Sequence, residues 1–280
     1  MKIIVLGSGT SHGVPVIGCS CPVCRSADSR DKRMRASVYI EGAGGETAFI
    51  DAGPEFRLQA VRAGVSRLDA IFLTHAHADH IHGLDDVRSL TWDHSLPVYG
   101  NEGTIREMKK RFSYIWKNTQ KGGGKPKLMP FTVNAPVRTG GLTFTPIPVK
   151  HGVLDILGWE VSAPLKGDNS PAGDGGGRSF LYLTDTSAIP AATQTLLRAS
   201  SNSRIIIIGG LRARPNETHF SFEEAINAAL GLNAEKIFLT HICHNHFHAE
   251  IEEICLNFSK NNGKEEVEIH PAHDGLEIVL

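Results

Sequence analysis

The amino-acid sequence predicts a mixed α/β fold in which short strands and helices alternate. Apolar runs rich in valine, isoleucine and phenylalanine are bounded by glycine, proline and polar residues, a pattern typical of buried strands. Between them lie segments whose apolar residues recur at helical spacing. Because the strands are short and follow one another in meanders, with helices clustered after strand ends, the pattern disfavours a simple doubly wound parallel sheet.

The strands are predicted from their apolar runs, in chain order. They are residues 2–6, 36–40, 46–51, 69–74, 97–99, 142–149, 157–163, 179–184, 204–209, 236–240, 267–270 and 275–279. The first of these runs directly into Gly7-Ser8-Gly9, so we expect this segment to be an opening strand and not a secretory signal.

The helices are predicted from periodicity and from start and stop residues. They are residues 54–63, 83–92, 102–117, 188–199, 221–230 and 249–260. Gly64 supplies a stop for the first, and residues 221–224 (Ser-Phe-Glu-Glu) have the capping-box pattern. Ile251, Cys255 and Phe258 fall at helical spacing in the last, which predicts core packing for that cysteine.

Composition is compatible with one domain over residues 1–280, built from two packed halves. The 41% hydrophobic content allows an ordinary core, and the net charge of −1 gives no argument for a nucleic acid or an anionic membrane surface as partner. No apolar run approaches the length of a transmembrane helix, so we expect a cytoplasmic protein that does not bind membranes. The sequence leaves a monomer and a homodimer open.

The segment Thr74–His80 concentrates ligand-type side chains directly after a predicted strand. His75, His77, Asp79 and His80 fall within six residues. A strand places alternate residues on one side, so the first two histidines can converge on one ion, and a turn would carry the other two residues toward a second position. Imidazole and carboxylate ligands together suit zinc, manganese or iron. The segment therefore predicts a metal site rather than a loop that is merely rich in histidine.

Three further ligand-type residues stand alone at the ends of predicted strands. His151, Asp185 and His241 each follow an apolar run. Taken singly, each is more often a capping or hydrogen-bonded residue than a ligand. Because a sheet can aim several strand-end side chains into one cleft, their occurrence beside the histidine cluster favours a site for two metals.

The His-x-His-x-Asp-His signature resembles that of the metallo-β-lactamase superfamily. The resemblance implies an αββα sandwich, with two sheets packed face to face and helices outside. It also implies that His75, His77 and His151 hold one divalent ion, that Asp79, His80 and His241 hold a second, and that Asp185 bridges them. Asp51 would orient a ligand imidazole, and the alternative for Asp51 is a helix N-cap before residues 54–56.

A cysteine loop predicts a third metal position. Cys19, Cys21 and Cys24 lie within six residues, and an intracellular setting disfavours structural disulfides. Three close thiolates suit a closed, four-coordinate structural zinc. The fourth ligand is absent from the loop, and His244 is the candidate, with Cys243 and His246 in the same turn as alternatives.

The cysteine loop and the complete histidine set together resemble one branch of the superfamily, the phosphoribosyl cyclic phosphodiesterases of phosphonate breakdown. This resemblance implies a small, cyclic phosphodiester as substrate, attacked by a hydroxide that bridges two metal ions. It marks His219 as a general acid and places Asp79 in the reacting centre. From the sequence alone, His219 could equally be a polar residue before the helix at 221–230.

Two segments depart from the pattern of that branch and are interpreted as insertions near the cleft. Residues 109–127 carry seven basic and no acidic side chains, interleaved with aromatic residues, and residues 166–178 hold five glycines. The basic segment is the best support for a second hypothesis, a ribonuclease Z-like nuclease, although a solvated helix is favoured over an RNA-binding surface. A third hypothesis is a non-hydrolytic relative of the pyrroloquinoline-quinone biosynthesis B protein, disfavoured because that relative lacks a full second-metal set.

Overall fold

The computed structural model describes residues 1–117, 124–163, 179–199 and 204–280. Its strands are β1 (Lys2–Gly7), β2 (Ser37–Glu41), β3 (Thr47–Ile50), β4 (Ala70–Phe72), β5 (Leu96–Gly100), β6 (Leu128–Thr132), β7 (Val137–Thr139), β8 (Leu142–His151), β9 (Leu154–Ser162), β10 (Ser179–Leu183), β11 (Arg204–Gly209), β12 (Ala234–Thr240), β13 (Glu268–Pro271) and β14 (Glu277–Val279). Its α-helices are α1 (Pro22–Arg25), α2 (Phe56–Arg62), α3 (Ala78–Ile81), α4 (Glu102–Arg111), α5 (Ala191–Ala199), α6 (Phe222–Leu230) and α7 (His248–Asn261).

The strands form two seven-stranded mixed sheets. The first has the order β14-β1-β2-β3-β4-β5-β6 and the second β13-β12-β11-β10-β9-β8-β7. In the first sheet the pairs from β3 to β6 are parallel, and in the second the pairs from β10 to β13 are parallel. Parallel pairs need crossover connections, and the helices that supply them cover the outer faces. The αββα sandwich expected from the resemblance is therefore confirmed.

Three hydrophobic clusters form the layers of this sandwich. One cluster lies between the sheets and contains Phe72 of β4 with Phe144 and Trp159 of β8 and β9. The second packs α5, α6 and α7 on the outer face of the second sheet, with Cys255 in its interior. The third packs α2 and α4 on the outer face of the first sheet. The prediction that Cys255 is a core residue is confirmed, since its side chain is fully buried.

The structure corrects several predicted elements. The segment 83–92 is not an α-helix: only Asp86–Leu90 is helical, in a 3₁₀ turn. The helix predicted at 102–117 ends at Arg111, and a separate 3₁₀ turn follows at Ser113–Ile115. Phe112 and Trp116 therefore do not lie in one continuous helix. The short helices α1 and α3 were not predicted, because four residues carry no measurable helical periodicity.

The strands β6 and β7 were also missed. Pro130 interrupts the apolar pattern of β6, and Met129 and Phe131 are exposed there. This proline is tolerated because β6 is an edge strand, with a hydrogen-bonded neighbour on one side only.

The basic segment 109–127 contributes the end of α4 and the approach to β6, and its residues 118–123 lie outside the described part of the chain. The predicted insertion at 166–178 lies outside the described residues altogether.

Aromatic rings connect the two sheets. The ring of Phe72 stacks on Phe144 with centroids 3.7 Å apart, and it meets the edge of Trp159 at 5.0 Å. The indole Nε1 of Trp159 donates to the carbonyl of Leu73, and the amide of Leu157 donates to the carbonyl of Thr74. Packing and hydrogen bonds thus hold the second sheet against the chain just before the histidine cluster.

We predict that Phe144→Ala lowers the free energy of unfolding by about 3–5 kcal/mol, because it removes a fully buried ring from between the sheets. The matched control is Phe131→Ala on the edge strand β6, where the ring is 42% exposed and the expected loss is only about 1 kcal/mol. Denaturant unfolding monitored by circular dichroism measures both. Equal losses in the two variants would contradict this description of the core.

Candidate metal centre

The histidine cluster lies in a strand-to-helix turn that faces the second sheet. After β4 the chain stays extended through His77, which is the N-cap of α3 with φ −65° and ψ 155°. The helix then carries Asp79 and His80, and the ring of His80 lies beside that of His75, with centroids 4.2 Å apart. Gly53 allows this turn to lie close to the end of β3, because a Cβ there would be only 2.2 Å from the carbonyl oxygen of Asp79.

The structure brings all seven predicted ligands into two adjacent groups. His75, His77 and His151 form one group, and Asp79, His80, Asp185 and His241 form the other; within each group the ligand atoms lie within 4.8 Å of one another. Asp79, His80, Asp185 and His241 are buried, whereas His77 is exposed at the mouth of the site. Residues far apart in the sequence converge here because β4, β8, β10 and β12 all end at this edge of the sandwich.

Asp185 is positioned between the two groups. One carboxylate oxygen, Oδ2, lies 3.3 Å from Nε2 of His75 and 2.6 Å from Nε2 of His80. The other, Oδ1, lies 2.6 Å from Nε2 of His241. Contacts with residues of both groups are the arrangement that a bridging carboxylate requires.

Three site residues adopt a left-handed backbone conformation immediately after their strands. Asp51, Asp185 and His241 have φ values of 64°, 52° and 57°. Non-glycine residues adopt this conformation rarely, at a cost of about 1–3 kcal/mol each, and such residues cluster at functional sites. The abrupt turn at each position is what ends the strand and directs the side chain into the cleft.

A layer of hydrogen bonds orients the candidate ligands. Asp51 accepts from Nδ1 of His80 at 2.7 Å, which leaves Nε2 of that ring directed at the site. Asp51 also accepts from the amide and hydroxyl of Thr74, whose Oγ1 lies 3.0 Å from Nδ1 of His75. His151 donates through Nδ1 to the carbonyl of Thr218 at 2.7 Å. Such partners fix the ring orientation of metal-binding histidines.

The alternative reading of Asp51 as an N-cap is wrong. Its carboxylate bonds to Thr74 and His80, while the residue at the N-cap of α2 is Glu55. Neither Thr74 nor the carbonyl of Thr218 was predicted from the sequence as a hydrogen-bond partner of a candidate ligand. Thr74 stands beside His75 in the sequence and could have been recognised, whereas a backbone carbonyl leaves no sequence signal.

The pKa of His80 and the buried polar atoms without hydrogen bonds indicate whether divalent cations fit this site. Burial lowers the pKa of His80, but facing carboxylates, above all that of Asp185, outweigh it and hold the pKa well above the ordinary value. Among the described residues, the buried Nε2 atoms of His75, His80 and His241 and Oδ1 of Asp185 make no hydrogen bond. Cis ligand atoms around a cation are about 3 Å apart, close to the contacts of Asp185. The residues therefore fit divalent cations.

His219 lies beside this centre. Its ring centroid is 4.6 Å from that of His151 and 4.9 Å from that of His241, and its Nδ1 lies 3.5 Å from Oδ1 of Asp185. Burial and the neighbouring His241 lower the pKa of His219 to about 3. The structure thus places His219 at the site, with its side chain 17% exposed toward the cleft.

The cysteine loop meets His244 and not its two alternatives. Nδ1 of His244 lies 3.4, 3.5 and 3.4 Å from the Sγ atoms of Cys19, Cys21 and Cys24. A tetrahedral zinc with ordinary bond lengths gives sulfur-to-nitrogen edges of about 3.5 Å, so this cluster fits zinc closely. A hydrogen bond from the Cys24 amide lowers the pKa of Cys21 to about 6, which favours the thiolate.

The two alternatives have other neighbours. Cys243 is buried, and its thiol donates to Oδ1 of Asn245. His246 lies beside Glu250, with its ring against Phe222. Neither belongs to the group of potential zinc ligands.

Comparison with known proteins agrees with the fold. The profile of the β-lactamase superfamily domain matches residues 47–242. A crystal structure of a new diphosphatase from the PhnP family superposes with a TM-score of 0.80 at 36% identity, covering 100% of this chain and 97% of that one.

Two curated relatives match along part of their own length. An octanoyltransferase of Porphyromonas gingivalis is 35% identical over an alignment of 282 positions, which covers 100% of this chain and 52% of that protein. A coenzyme PQQ synthesis protein B of Xanthomonas oryzae pv. oryzae is 29% identical over 165 residues, 53% of this chain and 52% of the relative. The chain thus spans about half the length of these relatives.

No helix in the described ranges is long and apolar enough to cross a membrane.

We predict that Asp51→Asn weakens metal binding at the group that contains His80 by about 10- to 100-fold, the usual effect of removing an outer carboxylate. Asparagine also tolerates positive φ, so the turn is preserved and the change isolates the lost charge. Calorimetric titration of chelator-treated protein with Mn²⁺ or Zn²⁺ measures the affinity. The control is Asp93→Asn, an exposed carboxylate beside His94. An affinity equal to that of the wild type would refute the orienting role.

We predict that Cys21→Ala loses one zinc ion per chain, because a four-ligand site with three remaining ligands no longer closes around the metal. Elemental analysis after dialysis gives the stoichiometry. Cys255→Ala, which removes a core thiol outside the cluster, should retain the wild-type zinc content. An unchanged zinc content in the Cys21 variant would show that the cluster does not hold zinc.

Proposed function

Because the chain belongs to the metallo-β-lactamase superfamily, we propose that it is a metal-dependent hydrolase and that it cleaves a small, cyclic phosphodiester. The observation that carries this proposal is the pair of adjacent ligand groups shared by Asp185. Seven ligand-type side chains in two groups are the number that a binuclear centre needs. Their conjunction with the cysteine cluster supports the phosphodiesterase branch.

The chemistry of a phosphodiester matches what these residues offer. When bound, two divalent cations would activate a water molecule near neutral pH and neutralise the phosphate oxygens. The chain itself supplies the fixed geometry, since Asp51 and Thr218 hold the rings of His80 and His151 in place. His75, His80 and His241 are nearly or fully buried, so the inner wall of the site is closed to bulk water.

We assign His219 the protonation of the leaving group. A departing alkoxide needs a proton, and a positioned histidine can supply one. The pKa of about 3 leaves the free ring neutral at pH 7. An anionic phosphate bound beside the ring would raise this pKa and thereby favour the protonated form that can donate a proton. Nδ1 of the ring lies 3.5 Å from Oδ1 of Asp185, at the metal centre.

A second candidate reaction is diphosphate hydrolysis, favoured by the 36% identity to a protein described as a diphosphatase. The same residues could act on a phosphoanhydride, since both substrates present phosphate oxygens and a scissile P–O bond. The difference lies in the leaving group, because a departing phosphate is stable as an anion and needs no added proton. His219 is therefore required for one class and nearly dispensable for the other.

The two remaining hypotheses have less support. The hypothesis of a ribonuclease Z-like activity is based on the basic segment 109–127. In that segment, the guanidinium of Arg111 donates a hydrogen bond to the carbonyl of Ala76 at 2.6 Å. A non-hydrolytic role like that of a PQQ synthesis protein B does not need the full set of seven ligand-type residues found here. Acyl transfer is not proposed, because the octanoyltransferase extends over about as many further residues as it shares with this chain.

We predict that His219→Ala slows hydrolysis of a 2′,3′-cyclic phosphate by about 10²–10⁴-fold, the usual contribution of a general acid. Bis(p-nitrophenyl) phosphate should be affected far less, since p-nitrophenolate leaves without a proton. Protein reconstituted with manganese, zinc or iron is assayed on both substrates and on a diphosphate diester.

The control is His270→Ala, an exposed histidine on the edge strand β13. Elemental analysis must show the same metal content in both variants. If His219→Ala slows the hydrolysis of both esters equally, His219 is not the general acid. If the wild type hydrolyses only the diphosphate diester, its substrate is a diphosphate and not a cyclic phosphodiester.

A further inference from the structure

A pocket opens beside the histidine cluster, between α4 and the start of β9. It has a volume of about 310 Å³, and His75 and His77 form part of its lining. Among the described residues of the metal centre, His151, His219 and His241 do not line it. The pocket therefore adjoins the centre, but not at the residue that we assign to protonation of the leaving group.

Two hydrogen bonds hold α4 across this pocket. At the start of the helix, Nδ2 of Asn101 donates to the carbonyl of Asp155 in β9 at 3.0 Å. At its end, the guanidinium of Arg111 donates to the carbonyl of Ala76, in the middle of the histidine cluster, at 2.6 Å. The helix is thus tied to both of the other walls, so the pocket is largely formed before a ligand binds.

The wall contributed by β9 is apolar. Leu154 and Ile156 both line the pocket, and they lie on one face of the strand because they are two residues apart. Ile156 is buried, whereas Leu154 is 44% exposed. The adjacent Val153 is 93% exposed and does not line the pocket. An apolar ligand would cover the exposed part of Leu154 and remove it from water, which is favourable.

The charged side chains of the lining balance one another. Arg106 and Arg111 are matched in number by Glu107 and Asp155, so the pocket has no excess charge that would select an ion. In the described part of the chain, Arg106 makes no ion pair and no side-chain hydrogen bond. A free guanidinium can stack on the face of an aromatic ring. The lining therefore favours an uncharged aromatic group over an anion or a short alkyl group.

We propose that this pocket binds an uncharged aromatic group of the substrate, attached on the side of the ester oxygen that stays bonded to phosphorus. The inference rests on the proposed phosphodiester hydrolysis and narrows the substrate to a diester that carries a planar, apolar substituent. The leaving group lies elsewhere, because His219 contacts His151 and His241 and does not line the pocket. Leu154 is then a residue that determines specificity.

Two diesters with the same leaving group test this specificity in the reconstituted enzyme. They are methyl p-nitrophenyl phosphate and phenyl p-nitrophenyl phosphate. Leu154→Ser should lower the ratio of kcat/KM for the phenyl ester to that for the methyl ester by about 10-fold, the effect of losing a partly buried apolar contact. The change should lie in the KM of the phenyl ester. Because the ratio is compared between variants, the intrinsic reactivities of the two esters cancel.

The matched control is Val153→Ser, which makes a similar change at the neighbouring residue outside the pocket. It should keep the wild-type ratio. An unchanged ratio in Leu154→Ser, or an equal fall in both variants, would overturn the inference while leaving the hydrolysis intact. Failure of the wild type to hydrolyse either diester would instead contradict the proposed function.

A second variant fills the pocket instead of removing one of its contacts. Gly103 lines the pocket in the first turn of α4, and the nearest atom to a Cβ there is Oδ1 of Asn101, at 3.6 Å. Leucine is a better helix former than glycine, so Gly103→Leu should preserve α4. It should raise the KM of the phenyl ester by about 10-fold, a change comparable to the loss of the Leu154 contact. A wild-type KM for the phenyl ester would refute occupation of this pocket.

A binding measurement tests the pocket independently of turnover. Phenylphosphonate and methylphosphonate are titrated calorimetrically into the reconstituted protein, since their P–C bonds are not cleaved as ester bonds are. The wild type and Val153→Ser should bind the phenyl compound about 10-fold more tightly, and Leu154→Ser should bind the two alike. Equal affinities of the wild type for the two phosphonates would refute the aromatic site.

Discussion

The buried carboxylate of Asp185 is the group on which the arrangement of the site depends. Its oxygens lie 2.6 Å from Nε2 of His80 and 2.6 Å from Nε2 of His241. Burial alone raises the pKa of this carboxyl, but the charges of His241 and His80 outweigh it and hold the pKa well below the usual range. An anion in this position is stable only if positive charge surrounds it. The convergence of histidines from several strands satisfies that requirement, and cations would satisfy it further.

The sandwich provides the rigidity that such convergence needs. The second sheet is hydrogen-bonded to the chain before the histidine cluster through Trp159 and Leu157. Left-handed turns at Asp51, Asp185 and His241 end three strands abruptly at the same edge. Turns of this kind persist only where the surrounding structure holds them in place. Stability in the core and geometry in the cleft are therefore linked through the strand ends.

The cysteine cluster connects the amino-terminal loop to the same edge. His244 follows His241 by three residues, so a metal held by the cysteines would fix the turn that ends β12. The backbone strengthens this link, since Thr10 donates to the carbonyl of Ile242 and Ile242 donates to that of Ser8. The buried Asp31 adds a third link, because it accepts from the amide of His248 at the start of α7. Ligand placement in the cleft thus depends on a segment that contributes no ligand to it.

The sequence by itself determined the strands around the site, the seven ligand-type residues and the three cysteines, because apolar runs and clustered polar residues are local patterns. It did not determine β6, whose Pro130 is acceptable only because the strand lies at a sheet edge, nor the 3₁₀ turn at Asp86–Leu90. Tertiary structure alone placed His244 rather than Cys243 or His246 beside the cysteines and put Asp185 between the two groups. These features depend on distances between residues far apart in the chain, which packing of the two sheets sets and local periodicity does not encode.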